Sequence, residues 1–306
     1  MKKEGLIQKQ GIMVMTLAKD FLDKEVGDRI DTVASMAEKY AMARGTIQTA
    51  LKTLVDNNAI ILEPRGHLGT FIRFIDYNEL LKFSGIDNIV CVMPLPYTKR
   101  YEGIATGLYN VINSKNISFS LAFMRGSDNR LKFLKEGRYD LALTSKLTAN
   151  YYMSNNENVD IVAAFGEYTY VKGHALIVRK NYKGYFSGMR VGVDESSYDQ
   201  VSLTNEYFND KNVQFIKVQY NYLIEHLLNN EIDATIWSED ETIYEGKELK
   251  RIPLKELKTN TLDTEAVIIA NKANETIINL VKRLIDIENV LDIQKKVLSN
   301  KLVPNY

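Results

Sequence analysis

Ala43-Arg44-Gly45-Thr46-Ile47-Gln48-Thr49-Ala50-Leu51-Lys52-Thr53-Leu54-Val55 carries two chemical faces on one helical period. Ile47, Ala50, Leu51, Leu54 and Val55 recur at helical spacing and form an apolar stripe, while Gly45, Gln48, Thr49 and Lys52 fall on the opposite side. Short polar side chains and one lysine fit the major groove of DNA, which bulky apolar or acidic groups would not enter. The spacing therefore predicts a recognition helix. Upstream, Val14, Leu17, Ala18 and Phe21 give a first helix ending near Gly27, and Val33, Met36, Ala37 and Tyr40 give a second, capped by Asp31 or Thr32. Downstream, the β-rich runs Ile60 to Leu62 and Thr70 to Phe74 flank Glu63-Pro64-Arg65-Gly66-His67-Leu68-Gly69, whose proline and glycines suit a hairpin tip. Three helices and a hairpin make a winged helix-turn-helix, placed at residues 1–76.

Across Ile30 to Ile72, about a seventh of the chain, these residues resemble the GntR family of bacterial regulators. The matches are Ala43 through Leu51, Leu54, and the wing Pro64-Arg65-Gly66-His67-Leu68-Gly69-Thr70-Phe71. The resemblance implies that Arg44 and Thr46 touch backbone and bases, and that Gly66 and His67 enter the adjacent minor groove. With Thr32, Gln48, Thr49, Lys52 and Arg65 they form the expected DNA-binding set. Two departures matter: the family commonly has arginine where this chain has Ala34 and Gln48. Gln48 can still pair with adenine through its amide.

The charge balance limits how that face binds. The 306 residues carry 39 basic and 39 acidic side chains, and the stretch through Asp76 carries eleven and ten. No global field draws nucleic acid or an anionic membrane, so DNA affinity has to be local, modest and salt-sensitive. Cys91, the lone cysteine, sits in the apolar run Ile89 to Met93 and reads as an inert buried thiol in a reducing, cytoplasmic setting. Lys2 and Lys3 before Gly11 to Ala18 only superficially resemble a signal peptide, and no run of about 18 apolar residues marks a membrane span.

After Asp76 the pattern changes. Tyr77 to Gly85 reads as a linker, and β-rich runs then alternate with helical ones: Ile89 to Met93, Ser118 to Phe123, Asp140 to Leu143, Ile161 to Phe165, Ala175 to Val178, Arg190 to Val193, Gln214 to Val218, Ala234 to Ile236 and Ala266 to Ala270. Leu134 to Ser145 also aligns with Leu227 to Ser238. Each reads helix, a left-handed cap (Gly137 or Asn230), an aspartate (Asp140 or Asp233) and a buried strand. Two such units about ninety residues apart point to two similar lobes. Residues 86–306 thus resemble the two-lobed α/β type 2 periplasmic-binding-protein fold, with lobe one at about 86–166 and 264–306 and lobe two at about 174–250. The final helices, Glu275 to Ile287 and Asn289 to Leu298, are expected on lobe one. Taken whole, with Pro94 to Gly107, Gln294 to Leu298 and Pro304-Asn305-Tyr306, the chain resembles GntR-type regulators of the YhfZ kind.

In open α/β sheets ligands bind beyond the carboxyl ends of strands. That rule picks Tyr97, Lys99, Arg100, Arg125, Gly126, Ser127, Thr144 and Ser145 from lobe one, and Asp194, Ser196, Ser197, Tyr198, Gln219, Tyr220, Trp237 and Ser238 from lobe two. Hydroxyls at helix starts together with Arg125 suit an anionic effector. The expected ligand-binding set is Tyr97, Arg100, Arg125, Ser127, Thr144, Ser145, Ser196, Ser197, Tyr220 and Trp237.

The chain shows no nucleophile elbow, Walker loop or dinucleotide glycine fingerprint. His67, His174 and His226 lack neighbours at ligand spacing, and Glu239-Asp240-Glu241 reads as a solvated turn, so neither metal nor cofactor is expected. The sequence reading is a non-enzymatic, ligand-responsive regulator, active as a homodimer on operator DNA and without membrane contact. The alternatives are a two-lobed enzyme of dehydratase or transferase type, using its N-terminal domain to dimerise, and a solute carrier.

Overall fold

The computed structural model describes residues 9–86, 88–115, 117–240, 248–254, 257 and 261–306; Glu241 of the acidic run lies outside the described residues. The chain divides into two compact units, one comprising residues up to 89 with 112–119 and Glu275–Leu284, the other comprising 90–111, 120–274 and 285–306.

The first unit begins with α1 (Lys9–Leu22), α2 (Val33–Lys39) and α3 (Arg44–Asp56). Met13, Leu17, Phe21 and Leu22 of α1 are buried, as are Ile47, Ala50 and Leu54 of α3, and the two helices pack together. Thr32 caps α2 by accepting from the Ser35 amide at 3.2 Å. The wing is an antiparallel pair, β1 (Ile60–Pro64) and β2 (Thr70–Ile75), closed by a short 3-10 turn at Gly66–Leu68. Gly27 and Ile30 also bond across to Ile72 and Thr70, so the segment after α1 adds an edge to the wing.

Two expectations need correction here. Tyr77 to Gly85 is no linker: it folds as α4 (Tyr77–Ser84), capped by Asp76, which accepts from the Asn78 and Glu79 amides, and it ends at left-handed Gly85. Leu80 and Leu81 are buried and α4 packs on α1, which offsets the entropy of ordering two short turns. Also, α10 (Glu275–Leu284) belongs to this first unit and not with the lobe-one helices. Arg283 on α10 donates to the carbonyls of Leu22 and Lys24, where the end of α1 leaves acceptors unpaired, and Asn279 donates to Asp23 at 3.1 Å.

The second unit holds two five-stranded sheets. Sheet one comprises β3 (Ile89–Met93), β4 (Phe119–Phe123), β5 (Leu141–Ser145), β6 (Val159–Ala164) and β12 (Ala266–Asn271), in the order β4-β3-β5-β12-β6. Sheet two comprises β7 (His174–Arg179), β8 (Met189–Val193), β9 (Val213–Lys217), β10 (Ala234–Ser238) and β11 (Leu249–Pro253), in the order β11-β7-β10-β8-β9. β3 runs parallel to β5, and β10 and β9 run parallel to β8, while β7 and β12 are antiparallel to their neighbours. Along β7, Ala175 and Ile177 enter one core cluster and Leu176 and Val178 another, so that sheet is covered on both faces. The nine expected strands all form, within two residues at each end, and β11 adds a tenth. Cys91 is fully buried in β3, which pushes its thiol pKa up to about 12.

The helices are α5 (Lys99–Asn113), α6 (Ser127–Lys135), α7 (Lys146–Ser154), α8 (Tyr198–Tyr207), α9 (Leu223–Leu228) and α11 (Ile287–Leu298). Gly103 and Gly107 sit one turn apart on α5, where an added Cβ would lie 2.8 Å from Gln294 Cγ and 2.7 Å from the Val290 carbonyl. Their bare backbone lets α11 pack closely. Gln294, nearly fully buried, then donates to the Arg100 and Thr169 carbonyls.

Candidate functional site

Arg44, Gln48, Thr49 and Lys52 are exposed on α3, Thr46 is half-buried, and Arg65, Gly66 and His67 are exposed at the wing tip. Several of these side chains are already engaged. Thr32 is the cap of α2, Thr49 donates to the Gly45 carbonyl, Lys52 pairs with Asp56 at 2.7 Å, and Arg65 pairs with Glu63 while covering the Phe71 ring. Such exposed pairs are worth about 0–1 kcal/mol, so a phosphate could displace them. α3 opens at Ala43 with no side-chain cap, leaving an exposed helix start suited to an anion.

The second unit encloses a cavity of about 100 Å3 between its sheets, lined from the carboxyl ends of β3 (Pro94, Leu95), β4 (Met124 to Ser127), β8 (Asp194, Ser197) and β10 (Ser238). Of the ten expected ligand residues, Tyr97, Arg125, Ser127, Ser197 and Tyr220 line it. The other five do not. Arg100 pairs with Asp240 at 2.9 Å; Ser145 caps α7 and donates to Asp199; Ser196 is held by Asp194; Thr144 is buried with its hydroxyl unpartnered; and Trp237 is buried under Tyr220, their rings stacked at 4.0 Å. The strand-end rule finds the loops that line this cavity but not which way each residue turns, because alternate positions face opposite sides.

Three charged residues that the rule missed line the cavity. Arg130, on α6, is 4% exposed and donates to the Met124 carbonyl and, at 3.4 Å, to Tyr170. Its Nε has no partner, and among the described residues no carboxylate lies within ion-pair distance. Asp199, on α8, accepts from Ser145 and Thr148 at 2.7 and 2.8 Å, hydroxyls supplied by the opposite lobe, and burial pushes its carboxyl pKa up.

His174, the third, starts β7 where the chain enters sheet two, and bonds at 2.6 Å to Asp263, just before β12, where it returns. The pair thus ties the two crossovers together. Burial disfavours the charged ring, but the Asp263 hydrogen bond and the fields of Asp263, Asp199 and Asp240 outweigh it and raise its pKa. A raised histidine pKa stabilises the fold below the ordinary value of about 6.5, and this is lost as pH rises through the raised value. Asp263→Asn is therefore expected to cost about 2 kcal/mol near pH 6, with the gap from wild type narrowing by about pH 9. A gap in melting temperature that stays constant over that range would mean that His174 is neutral throughout.

The lobes touch closely beside the cavity. Gly126 adopts φ +76, and a Cβ there would lie 2.7 Å from Ser196 Oγ, so only glycine allows the approach. Arg125 bonds Tyr97 of its own lobe and Asn221 of the other. Among the described residues, no group of three or more metal-ligating side chains and no helix long and apolar enough to cross a membrane occurs.

Residues 76–306 match the family model described as the YhfZ C-terminal domain, and residues 25–72 match one described as a helix-turn-helix domain. The chain is 34% identical over 307 residues to the uncharacterized protein YhfZ of Escherichia coli K12, covering 99% of this chain and 100% of that one. The crystal structure of YhfZ from Shigella flexneri is similar at 35% identity and a TM-score of 0.65, over 75% of this chain and 97% of that chain. An ancestral arginine-binding protein bound to arginine has a TM-score of 0.53 at 14% identity, over 70% of this chain and 97% of that chain, a likeness of fold alone. A helix-turn-helix unit followed by a two-sheet α/β domain of the periplasmic-binding-protein type, matched nearly end to end, places this chain in the YhfZ family.

Proposed function

We propose that the chain is a ligand-responsive transcriptional regulator of GntR-like type, acting as a homodimer on operator DNA in the cytoplasm, without a catalytic step. The observation that carries this reading is the exposed polar face of α3 beside the glycine-tipped wing, in a chain whose other unit encloses a cavity with a buried, unpaired guanidinium. The two recognition helices of a dimer would read half-sites about one helical turn, or 34–36 Å, apart. The effector carries an anionic group, because Arg130 supplies a charge that burial leaves without a counter-ion.

Ligand closing the cleft would turn the lobes about the two crossovers, a hinge that biases DNA affinity. α10 follows β12 in the chain after three residues and packs on α1, so it gives that bias a route through the backbone. DNA affinity is tested by titrating the purified protein against its own upstream DNA at several salt concentrations. Arg44→Ala is expected to weaken binding evenly across sequences and to make the salt slope shallower by about one. Unchanged binding at every salt would remove Arg44 from the interface, and absence of any salt-dependent binding by the wild type would end the regulator reading.

A further inference from the structure

The charges around the cavity are sorted by lobe: Arg125 and Arg130 follow β4 of sheet one, and Asp194 and Asp199 follow β8 of sheet two. Most of their capacity is already committed. Arg125 is held by Tyr97 and Asn221; Asp194 accepts from the Ser196 amide and hydroxyl and from the Tyr220 amide; and His174 is balanced by Asp263. Two groups remain, one of each sign. Arg130 has an orphaned Nε. Asp199, 7% exposed, takes both of its hydroxyl donors on Oδ1, so that Oδ2 accepts nothing among the described residues. A simple anion would satisfy Arg130 but would bring a second negative charge beside Asp199, at a cost that a low-dielectric cavity enlarges.

Building on the reading that this cavity takes an effector, we propose that the effector is a small dipolar molecule, an amino acid or short amino-carboxylate, its carboxylate on Arg130 and its ammonium on Asp199. The carboxylate supplies the counter-ion that Arg130 lacks, the ammonium supplies a donor to the free Oδ2 of Asp199, and the molecule enters with no net charge.

The test is thermal shift and calorimetry on the full chain. The probes are the common amino acids, β-alanine and 4-aminobutyrate, each paired with the carboxylic acid that lacks its amine, together with inorganic phosphate. At least one amino acid is expected to bind, with its deaminated partner weaker by about 100-fold or more, since a site built for a charged donor rejects an analogue without it. Asp199→Asn is expected to weaken binding of the amino acid and, by removing the like charge, to tighten that of the deaminated acid, so that the preference disappears. Equal binding of both partners, or binding of phosphate or plain carboxylates alone, overturns the dipolar ligand and leaves an anionic effector in place. Binding of none of these probes overturns the proposal and counts against the effector reading as well. The paired comparison uses wild type, so it stands even where Asp199→Asn does not fold.

Discussion

Arg130→Met is expected to abolish the response to effector while leaving the unliganded chain as stable as wild type, or up to about 2 kcal/mol more stable. The two halves of this result have one cause. The Arg130 guanidinium is almost wholly removed from solvent, yet it has only the Met124 carbonyl and a long contact to Tyr170, and nothing at Nε. Replacing a buried ion with an apolar side chain of similar length is often neutral or stabilising by 1–4 kcal/mol, less about 1 kcal/mol or more for the Met124 carbonyl left without its donor. A ligand carboxylate is what turns this burden into affinity, so function and stability trade against each other at this residue. Urea denaturation of both proteins gives the first half; melting curves with any carboxylate that shifts the wild type give the second. Loss of more than about 2 kcal/mol in the unliganded variant would make Arg130 a structural residue, and a retained melting shift would place the anion elsewhere.

The elements that the sequence reveals are those whose residues carry a local period. α3 and the wing are legible because a stripe of Ile47, Ala50, Leu51 and Leu54 and the glycine-flanked tip each specify their own geometry. Most of the nine expected strands are legible because they are buried and read as apolar runs, while the more exposed β4 and β9 show through their β-rich composition. β11 escapes because it is an edge strand: Lys250, Arg251 and Pro253 are exposed, the features that keep an edge from pairing with other chains, and they read as a loop. α4 escapes because two turns carry too little periodicity, although Asp76, Glu79 and Gly85 mark its start, first turn and end. Where α10 packs is not a local property at all. It depends on Arg283 meeting the end of α1, 259 residues away at Lys24.

The cavity is half legible for a related reason. Strand-end loops are set by topology, so Arg125, Ser127 and Ser197 could be named. Helical side chains, however, lean toward the N-terminus of their helix, so a residue within the first turn or so covers the helix start. Arg130, fourth in α6, and Asp199, second in α8, reach the cavity in this way, and a rule that stops at the loop passes over them.

The internal correspondence supplies the second large effect. Asp140 and Asp233 occupy matching positions, and each closes the same backbone ring: Asp140 with Val90, through N–H to carbonyl at 3.0 Å and amide to carboxylate at 2.9 Å, and Asp233 with Arg190 at 2.7 and 2.9 Å. Around the rings the electrostatics diverge. Asp140 has no arginine, and burial raises its pKa against the pull of the Val90 amide. Burial works against Asp233 too, but hydrogen bonds from the Arg190 side chain and amide and from Arg179 outweigh it and bring the carboxyl to about 2. Asp233→Ala is therefore expected to destabilise the chain by about 2 kcal/mol, since it removes the acceptor of the Arg190 amide and of both guanidinium groups, although Arg179 keeps the Leu227 and Ile232 carbonyls and Arg190 is partly solvated. Asp140→Asn, which can still accept from Val90 and no longer buries a charge, is expected to stay within about 0.5 kcal/mol of wild type. The pH dependence follows from the lowered pKa: the Asp233 contribution is complete above the ordinary carboxylate value of 3.8 and fades as pH falls through about 2. Urea midpoints measured at neutral pH and near pH 3 decide the matter, with Asp140→Ala, which breaks the ring without touching an arginine, as the matched comparison: a loss equal to that of Asp233→Ala would mean that the ring, not the arginines, holds the strand in place.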